Sequence, residues 1–372
     1  MRRRMPTGLV GLFVTLLLLG CGSSPGTDGD GSVSGSDAAV PMGSPVSMSL
    51  GSLGTCVVYS GGHQWCWGWN QNGQFGTRRD TQFERPEHIQ ELGAVDRMAL
   101  AGDFGCVIYA GGDVECFGYD HGGTDQPVNL NGAAVDLGTG HGHGCALLSG
   151  GTVECWGQNS DGQLGDGTPQ GREDPAPVTG LSGIVAIDAA ADRSCALGGN
   201  GDVWCWGRRL DGTGDDRYSP EQITGLGSTT AISMGDDQTC ALQNDGTVMC
   251  WGYGACNALD LAGDCATPVS VPGLSAVDEI AVGDSAGCAR SGGELRCWGR
   301  NSRGQMGDGT LDPIYTPTPV SGLTGVTLVG FGSDHACAAV TGDDIYCWGA
   351  NGNGQIGNGT TIDQLTPIDV GL

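Results

Sequence analysis

Apolar and polar residues alternate in short runs through most of this chain, and the runs come in pairs. In Gly144-Cys-Ala-Leu-Leu-Ser-Gly-Gly-Thr-Val-Glu-Cys-Trp-Gly157 two such runs flank a Ser-Gly-Gly turn, which predicts a β-hairpin. A third run, Val135-Asp-Leu-Gly-Thr-Gly140, precedes this pair, and a fourth, Pro177-Val-Thr-Gly-Leu181, follows a long polar stretch. Each unit is therefore expected to hold four short strands, A to D. The unit recurs about every 40 to 50 residues, seven times in all. Periods of this length belong to solenoids and propellers, whose units cannot bury their faces alone and must pack against a neighbour. The pattern predicts an all-β chain forming a seven-bladed β-propeller of four-stranded antiparallel blades.

Cysteine keeps the same period. Fourteen of the 17 cysteines form pairs nine or ten residues apart: Cys56/Cys66, Cys106/Cys116, Cys145/Cys155, Cys195/Cys205, Cys240/Cys250, Cys288/Cys297 and Cys337/Cys347. Residues opposed at a non-hydrogen-bonded site of an antiparallel pair have Cα atoms about 4.5 Å apart, at the short end of what a disulfide spans. Each pair is expected to bridge its own hairpin. Zinc, the competing use of paired cysteines, needs closer spacing or histidine partners, and neither recurs here. Cys256 and Cys265 fall in an insertion of the fifth unit, residues 254–266, and are expected to close it as an eighth bridge. In each Cys-Trp-Gly step the cysteine and the tryptophan point to opposite faces of the strand. Trp67, Trp156, Trp206, Trp251, Trp298 and Trp348, with Phe117 in the second unit, are thus expected to fill the spaces between blades.

The remaining cysteine has its own context. The chain starts Met-Arg-Arg-Arg, runs through an apolar stretch at residues 9–19 and reaches Leu18-Leu19-Gly20-Cys21. A basic start, a short apolar run and a small residue describe a secretory signal. Its ending is similar to the lipobox of bacterial lipoproteins, in which the cysteine becomes the lipidated first residue; an ordinary signal peptide with an incidental cysteine is the alternative. Residues 1–20 are expected to be a lipoprotein signal peptide and residues 21–45 a lipidated cysteine followed by a Gly/Ser/Asp-rich tether too poor in apolar residues to fold. The propeller is expected to occupy residues 46–372. Export agrees with the disulfides, since thiols oxidise outside the cytosol, and the residue after Cys21 is Gly22, which by the same resemblance favours the outer membrane.

Charge narrows the partners. The net charge is −26, with 42 Asp and Glu against 16 Lys and Arg, and no residue is a lysine. Nucleic-acid binding requires a basic surface that releases counterions from phosphates, so no nucleic-acid partner is expected. The 71 glycines carry no three-residue period and mark turns.

Cys155-Trp-Gly-Gln-Asn-Ser-Asp-Gly-Gln-Leu-Gly-Asp-Gly-Thr168, Cys297-Trp-Gly-Arg-Asn-Ser-Arg-Gly-Gln-Met-Gly-Asp-Gly-Thr310 and Cys347-Trp-Gly-Ala-Asn-Gly-Asn-Gly-Gln-Ile-Gly-Asn-Gly-Thr360 resemble the repeat of the regulator of chromosome condensation family, a seven-bladed propeller. The resemblance covers roughly residues 46 to 372; the first unit keeps the motif less fully, and units two, four and five depart from it. The family's eukaryotic founder catalyses nucleotide exchange on a small GTPase and binds chromatin. An exported, acidic, disulfide-bonded chain shares neither compartment nor charge with it, and fold does not imply function.

No nucleophile elbow, zinc-protease motif or phosphate loop occurs. No enzymatic activity and no cofactor are expected, and a monomer is. His141 and His143 form a His-x-His pair, but His143 and His335 both stand two residues before a blade cysteine and read as repeat positions. The A–B turns of other units carry Asp103, Asp192, Asp236, Asp237, Asp284 and Asp334, which are expected to be solvated turn residues or a negative ring at one mouth of the central channel. Strands that alternate in direction put A–B and C–D connections on one face. The irregular C–D segments, residues 77–90, 208–218 and 254–266, share it, and long loops on a rigid scaffold are where binding resides. Arg78, Arg79, Phe83, Arg85, Arg208, Arg209, Arg217 and Tyr218 are the candidate partner-binding residues, arginine and aromatics being enriched at hot spots. The expected function is a cell-envelope lipoprotein, held at the membrane by its lipid, whose propeller binds a protein or glycan. A glycan-active hydrolase or lyase and a structural envelope component are the alternatives.

Overall fold

Short turns and alternating side chains fold each unit into its own antiparallel sheet. The computed structural model describes residues 43–77, 81–119, 126–209, 216–262 and 265–372, and among them there are seven four-stranded sheets, each made of strands consecutive in the chain. Blade one comprises Pro45–Leu50, Gly54–Tyr59, Gln64–Gly68 and Phe83–His88; blade three comprises Ala134–Thr139, His143–Leu148, Val153–Gly157 and Arg172–Pro177. The chain is an all-β, seven-bladed propeller. Cys21, Arg78 and Arg79 lie outside the described residues. No helix among the described residues is long and apolar enough to cross a membrane.

Strand A of every blade lines a central channel of about 560 Å³, and strand B is the most buried: all six residues of Gly54–Tyr59 and of His335–Val340 are buried. In each hairpin the two cysteines stand directly opposite one another. The seven bridges are Cys56–Cys66, Cys106–Cys116, Cys145–Cys155, Cys195–Cys205, Cys240–Cys250, Cys288–Cys297 and Cys337–Cys347, and in all of them the Cα atoms are 4.1 Å apart. This is closer than the spacing of an unbridged antiparallel pair, because the short link draws the two strands together. Cys256–Cys265, Cα atoms 5.5 Å apart, closes the insertion of blade five, which contains the short helix Tyr253–Ala258.

The sequence pattern turns the cysteine and the tryptophan of strand C towards different neighbours, and the structure packs the cysteines accordingly. Cys66, Cys116 and Cys250 are core residues as well as cross-links, each at most 1% exposed. Strand C is covered on both faces, so the side opposite the tryptophan is sealed too. The Cys66 sulfur stands 4.0 Å from Met98 Sδ of blade two. Cys116 shares an apolar cluster with Leu137 of blade three, and Cys250 shares one with Ile280 of blade six.

The fourth strand lies earlier than the sequence pattern suggests. In blade three it is Arg172–Pro177, not the segment from Pro177 to Leu181. Strand D is the outer edge, so its residues need no apolar alternation. Its mark is proline instead, which an edge strand tolerates: Pro86, Pro175, Pro220, Pro317 and Pro367 all lie in D strands. For the same reason Phe83, Arg85, Arg217 and Tyr218 belong to D strands and not to loops.

Neighbouring blades are joined by a repeated latch. The Asn of the Asn-x-x-Gly-Gln motif folds the C–D loop on itself: Asn159 Oδ1 accepts from Leu164 N at 2.9 Å, and its Nδ2 donates to Thr168 O and Gln170 O. This turns the Gln163 carbonyl towards blade four, where it accepts from Trp206 Nε1 at 2.8 Å and Ser194 Oγ at 3.0 Å. Gly165 has φ +66°, and a Cβ there would stand 2.8 Å from Trp206 Nε1, so only glycine seats the indole. Gln305 and Trp348 repeat the latch between blades six and seven. The tryptophans accordingly pack against the C–D loop of the preceding blade. Where that preceding loop departs from the motif, as in units two and five, Trp156 Nε1 and Trp298 Nε1 are buried and have no partner among the described residues.

The ring closes with the same latch and without exchanging a strand. Trp67 Nε1 and Thr55 Oγ1 donate to Gln355 O at 2.8 and 3.0 Å, and Thr55 Oγ1 lies 2.9 Å from His335 Nε2. The inner strands are tied from blade to blade as well. Ser49 Oγ accepts from Leu100 N, Asp136 from Ile187 N, Asp188 from Met234 N and Ser233 from Val282 N, at 2.8 to 3.2 Å. These side chains satisfy edge amides that would otherwise face the channel unpaired.

Candidate functional site

Strand ends of opposite polarity meet on the face that carries the A–B and C–D connections, and its charges fall into two groups. One is acidic and sits at the channel. Of the six turn aspartates only Asp236 and Asp284 line the channel, joined there by His141 and, in the A strands, by Asp136 and Asp188. Asp103 instead accepts from Asn72 Nδ2 at 3.1 Å, Asp334 from Gln305 Nε2 at 2.8 Å, and Asp237 pairs with Arg208 at 3.7 Å. Two of the six turn aspartates thus reach the channel, while Asn72, Gln305 and Arg208 hold Asp103, Asp334 and Asp237. Burial, reinforced by the Asp236 charge, pushes Asp284 up to about 6. His141 Nε2 lies 3.3 Å from Asp236 Oδ2, and this hydrogen bond holds its pKa above the ordinary histidine value.

His141 and His143 do not act as a pair. His143 is fully buried at the start of strand B, with Nε2 2.9 Å from Ser194 Oγ in the next blade, and desolvation lowers its pKa to about 3. His335 makes the equivalent contact with Thr55 and is lowered to about 3 by burial as well. Among the described residues no group of three histidine, cysteine or carboxylate side chains is placed to hold a metal ion.

The second group is basic. Arg208 and Arg209 leave the end of strand C of blade four, Val203–Gly207, and Arg217 opens strand D, Arg217–Gln222. All three line a small crevice between blades four and five together with Arg193, whose Nη atoms donate to Thr239 Oγ1 at 3.0 Å and Gly235 O at 2.6 Å across the blade interface. Trp206, Trp251 and Ile223 supply its apolar wall, and among the described residues no aspartate or glutamate lines it. Outside the crevice, Glu221 Oε2 lies 2.7 Å from Arg217 Nε and 3.4 Å from Arg209 Nη2. Arg193 was not among the candidates. Its signal was available, because it occupies the position two before a blade cysteine where His143 and His335 also stand, and each of these three faces a hydroxyl residue one place before the next blade's cysteine.

The structure separates the other candidates from this crevice. Phe83 is 8% exposed, its ring stacked on Phe75 with centroids 6.1 Å apart. It is a core residue and not a contact residue, because as the first residue of an edge strand it turns inward to cover the loop of its own blade. Arg85 is exposed in blade one, its guanidinium over Gly359 of blade seven. Tyr218 packs its ring on Gly162 of blade three, and its carbonyl accepts from Gly167 N at 2.7 Å.

Two profiles described as the regulator of chromosome condensation (RCC1) repeat match the chain, one at residues 151–197, 293–339 and 343–372 and the other at residues 134–163, 230–258, 277–305 and 326–355. Together they span about half of it. The Ultraviolet-B receptor UVR8 of Arabidopsis thaliana is 26% identical over 189 residues, 49% of this chain and 33% of the relative, so the match spans about a third of that protein's length. The crystal structure of human WBSCR16 is similar with a TM-score of 0.74 at 20% identity, over 83% of this chain and 93% of that one. A chain in the structure of Kap60 bound to yeast RCC1 (Prp20) is similar with a TM-score of 0.52 at 18% identity, over 88% and 75%. At these identities the two structures share the fold.

Proposed function

We propose that this chain, which belongs to the family of RCC1-repeat proteins, is a non-catalytic, protein-binding propeller, exported and held at the cell envelope by a lipid on Cys21. The observation that carries the binding role is the arginine crevice. Four of the chain's 16 basic residues converge there in a protein of net charge −26, on a frame fixed by a disulfide in every blade. A rigid scaffold presenting arginines beside buried tryptophans has the composition of an interface hot spot. Yeast RCC1 (Prp20) has been solved with Kap60 bound to it, which agrees with a binding role for the fold. Eight disulfides fit an oxidising compartment.

A photo-crosslinking amino acid placed at Arg208 is expected to capture a protein from envelope extracts, and the same group at Asn244, in a B–C turn of the opposite face, is not. Capture only from Asn244 would assign the wrong face; capture from neither would remove the binding role. For the anchor, Cys21→Ser is expected to move most of the protein from the membrane fraction to the soluble one, because the lipid on that cysteine would hold it. A variant that still sediments with membranes after a high-salt wash would overturn the lipid anchor.

A further inference from the structure

The crevice between blades four and five has properties that name its ligand more narrowly. Among the described residues the Nε atoms of Arg193 and Arg209 are buried without a hydrogen-bond acceptor, Arg217 Nε has Glu221 as its partner outside the crevice, and all three residues line it. Buried unpaired donors are rare and call for an acceptor; two of them beside a third arginine in the lining of one crevice call for an anion. Arg193 is 5% exposed and held at both Nη atoms by blade five, so its geometry is set before anything binds. Burial first, and then the neighbouring Arg208 charge, pull its pKa down to about 10 against the opposing charges of Asp236, Asp237 and Asp188. The space measures about 30 Å³, room for about two oxygen-sized atoms, which fits the two oxygens of a carboxylate and excludes a sugar ring.

We propose that this crevice is a carboxylate-recognition site that takes one Asp, Glu or C-terminal carboxylate of a protein partner. This deepens the protein-binding reading and rests on it. The overall charge of −26 favours a single localised carboxylate over a sulfated or phosphorylated polyanion, whose remaining charges would lie against an acidic surface. The apolar wall of Trp206, Trp251 and Ile223 lowers the local dielectric, where charge-assisted hydrogen bonds from arginine are strong. Glu221, whose side chain is 54% exposed, sets the threshold. Its carboxylate sits outside the crevice against Arg209 and Arg217 and competes for them. Arg217 Nε lies 2.7 Å from Glu221 Oε2, so an incoming carboxylate must displace or share this intramolecular pair.

The test is a titration of the folded, disulfide-bonded chain followed by the Nε–H resonances of its arginines. The probe is acetyl-Gly-Glu-Gly-amide, with acetyl-Gly-Gln-Gly-amide and a heparin oligosaccharide as controls. The glutamate peptide is expected to give saturable shifts confined to Arg193, Arg209 and Arg217, and the glutamine peptide none. Arg209→Gln should weaken binding about tenfold, and Glu221→Gln should tighten it about threefold. A site of merely structural arginines would give no such opposite pair. Shifts that spread over all arginines in proportion to salt, saturation by heparin instead of the peptide, or a Glu221→Gln variant with unchanged affinity would overturn the proposal. The broader reading fails separately: peptide binding without crosslinking at Arg208 leaves the carboxylate site standing and removes the partner role, and crosslinking without peptide shifts does the reverse.

Discussion

Trp67→Ala is expected to lower the stability of the propeller by about 3–5 kcal/mol, the usual cost of emptying a buried aromatic site, and to do so by opening the ring. Trp67 is completely buried, and its Nε1 is anchored on Gln355 O, 288 residues away in sequence. No strand crosses between blades seven and one, so the seam is held by the latch of Trp67, Thr55, Gln355 and His335, with Gly359 N donating to Glu84 O beside it. A contact across so long a chain segment must also hold against the entropy of the loop it closes. Trp206→Ala removes the same side chain from the same latch between blades three and four, where the chain itself keeps the blades adjacent. Both variants should show a comparable loss in guanidinium unfolding. Amide exchange distinguishes them: in Trp67→Ala it should accelerate in blades one and seven, and in Trp206→Ala it should stay local to blades three and four. A Trp67→Ala variant within about 1 kcal/mol of the parent would show that the seam does not depend on the latch.

Acid should act on the fold in two opposing ways, and His143→Gln with His335→Gln is expected to separate them. Both histidines have folded pKa values of about 3 against 6.5 in the unfolded chain. Between these values the unfolded state binds the proton and the folded state does not, so stability is lost as pH falls from 6.5 towards 3, at about 1.4 kcal/mol per pH unit for each histidine. Asp188, raised to about 7 by desolvation, and Asp284, raised to about 6, have the opposite sign: the folded state takes up their protons first, and they add stability as pH falls from 7 towards 4. The parent protein should therefore hold a broad plateau between about pH 7 and 4 and fail steeply below it, where the carboxyl gain has ended and the histidine loss continues. The double variant should instead become more stable as pH falls from 7 to 4.5. Glutamine already occupies the equivalent place in blade five, where Gln238 Nε2 donates to Gly283 O and Ala286 O, so the replacement has a precedent within the chain. Unfolding free energies at pH 7 and 4.5 decide the matter; parallel pH profiles for parent and variant would exclude the histidines as the acid-labile groups.

How far the fold could be read from the chain depended on what each residue faces. Cysteine and tryptophan alternate on strand C because one face bonds its own hairpin and the other meets a neighbour, so the blade number, the hairpins and the bridged pairs were legible. The packing of Cys66, Cys116 and Cys250 against the following blade follows from the same alternation, although the partners Met98, Leu137 and Ile280 carry no mark in the repeat. Strand D was misplaced because an outer edge has no buried face, and only its prolines betray it. Phe83 looked like a loop aromatic for the same reason, since its burial depends on Phe75 in another part of the blade. The candidate arginines of blade four were legible as a break in the repeat, but Arg193 was not. Its role arises from an interface between consecutive units, visible only when the position before one cysteine is compared with that of the next unit: His143 with Ser194, Arg193 with Thr239, His335 with Thr55.

Because every blade is one uninterrupted stretch of chain, the order of the blades around the ring is a matter of gene layout more than of structure. Six residues separate the outer strand of one blade from the inner strand of the next in most of the molecule, as between Pro177 and Ile184 or Pro319 and Val326. Val370, Gly371 and Leu372 with Gly43 and Ser44 nearly supply the same span between Asp369 and Pro45. A gene rearranged to start at Ile184, with one or two codons added at the old junction, would encode the same ring with its seam moved between blades three and four. The same modularity lets such a gene grow or shrink by whole repeats, without inventing a new way to join its ends.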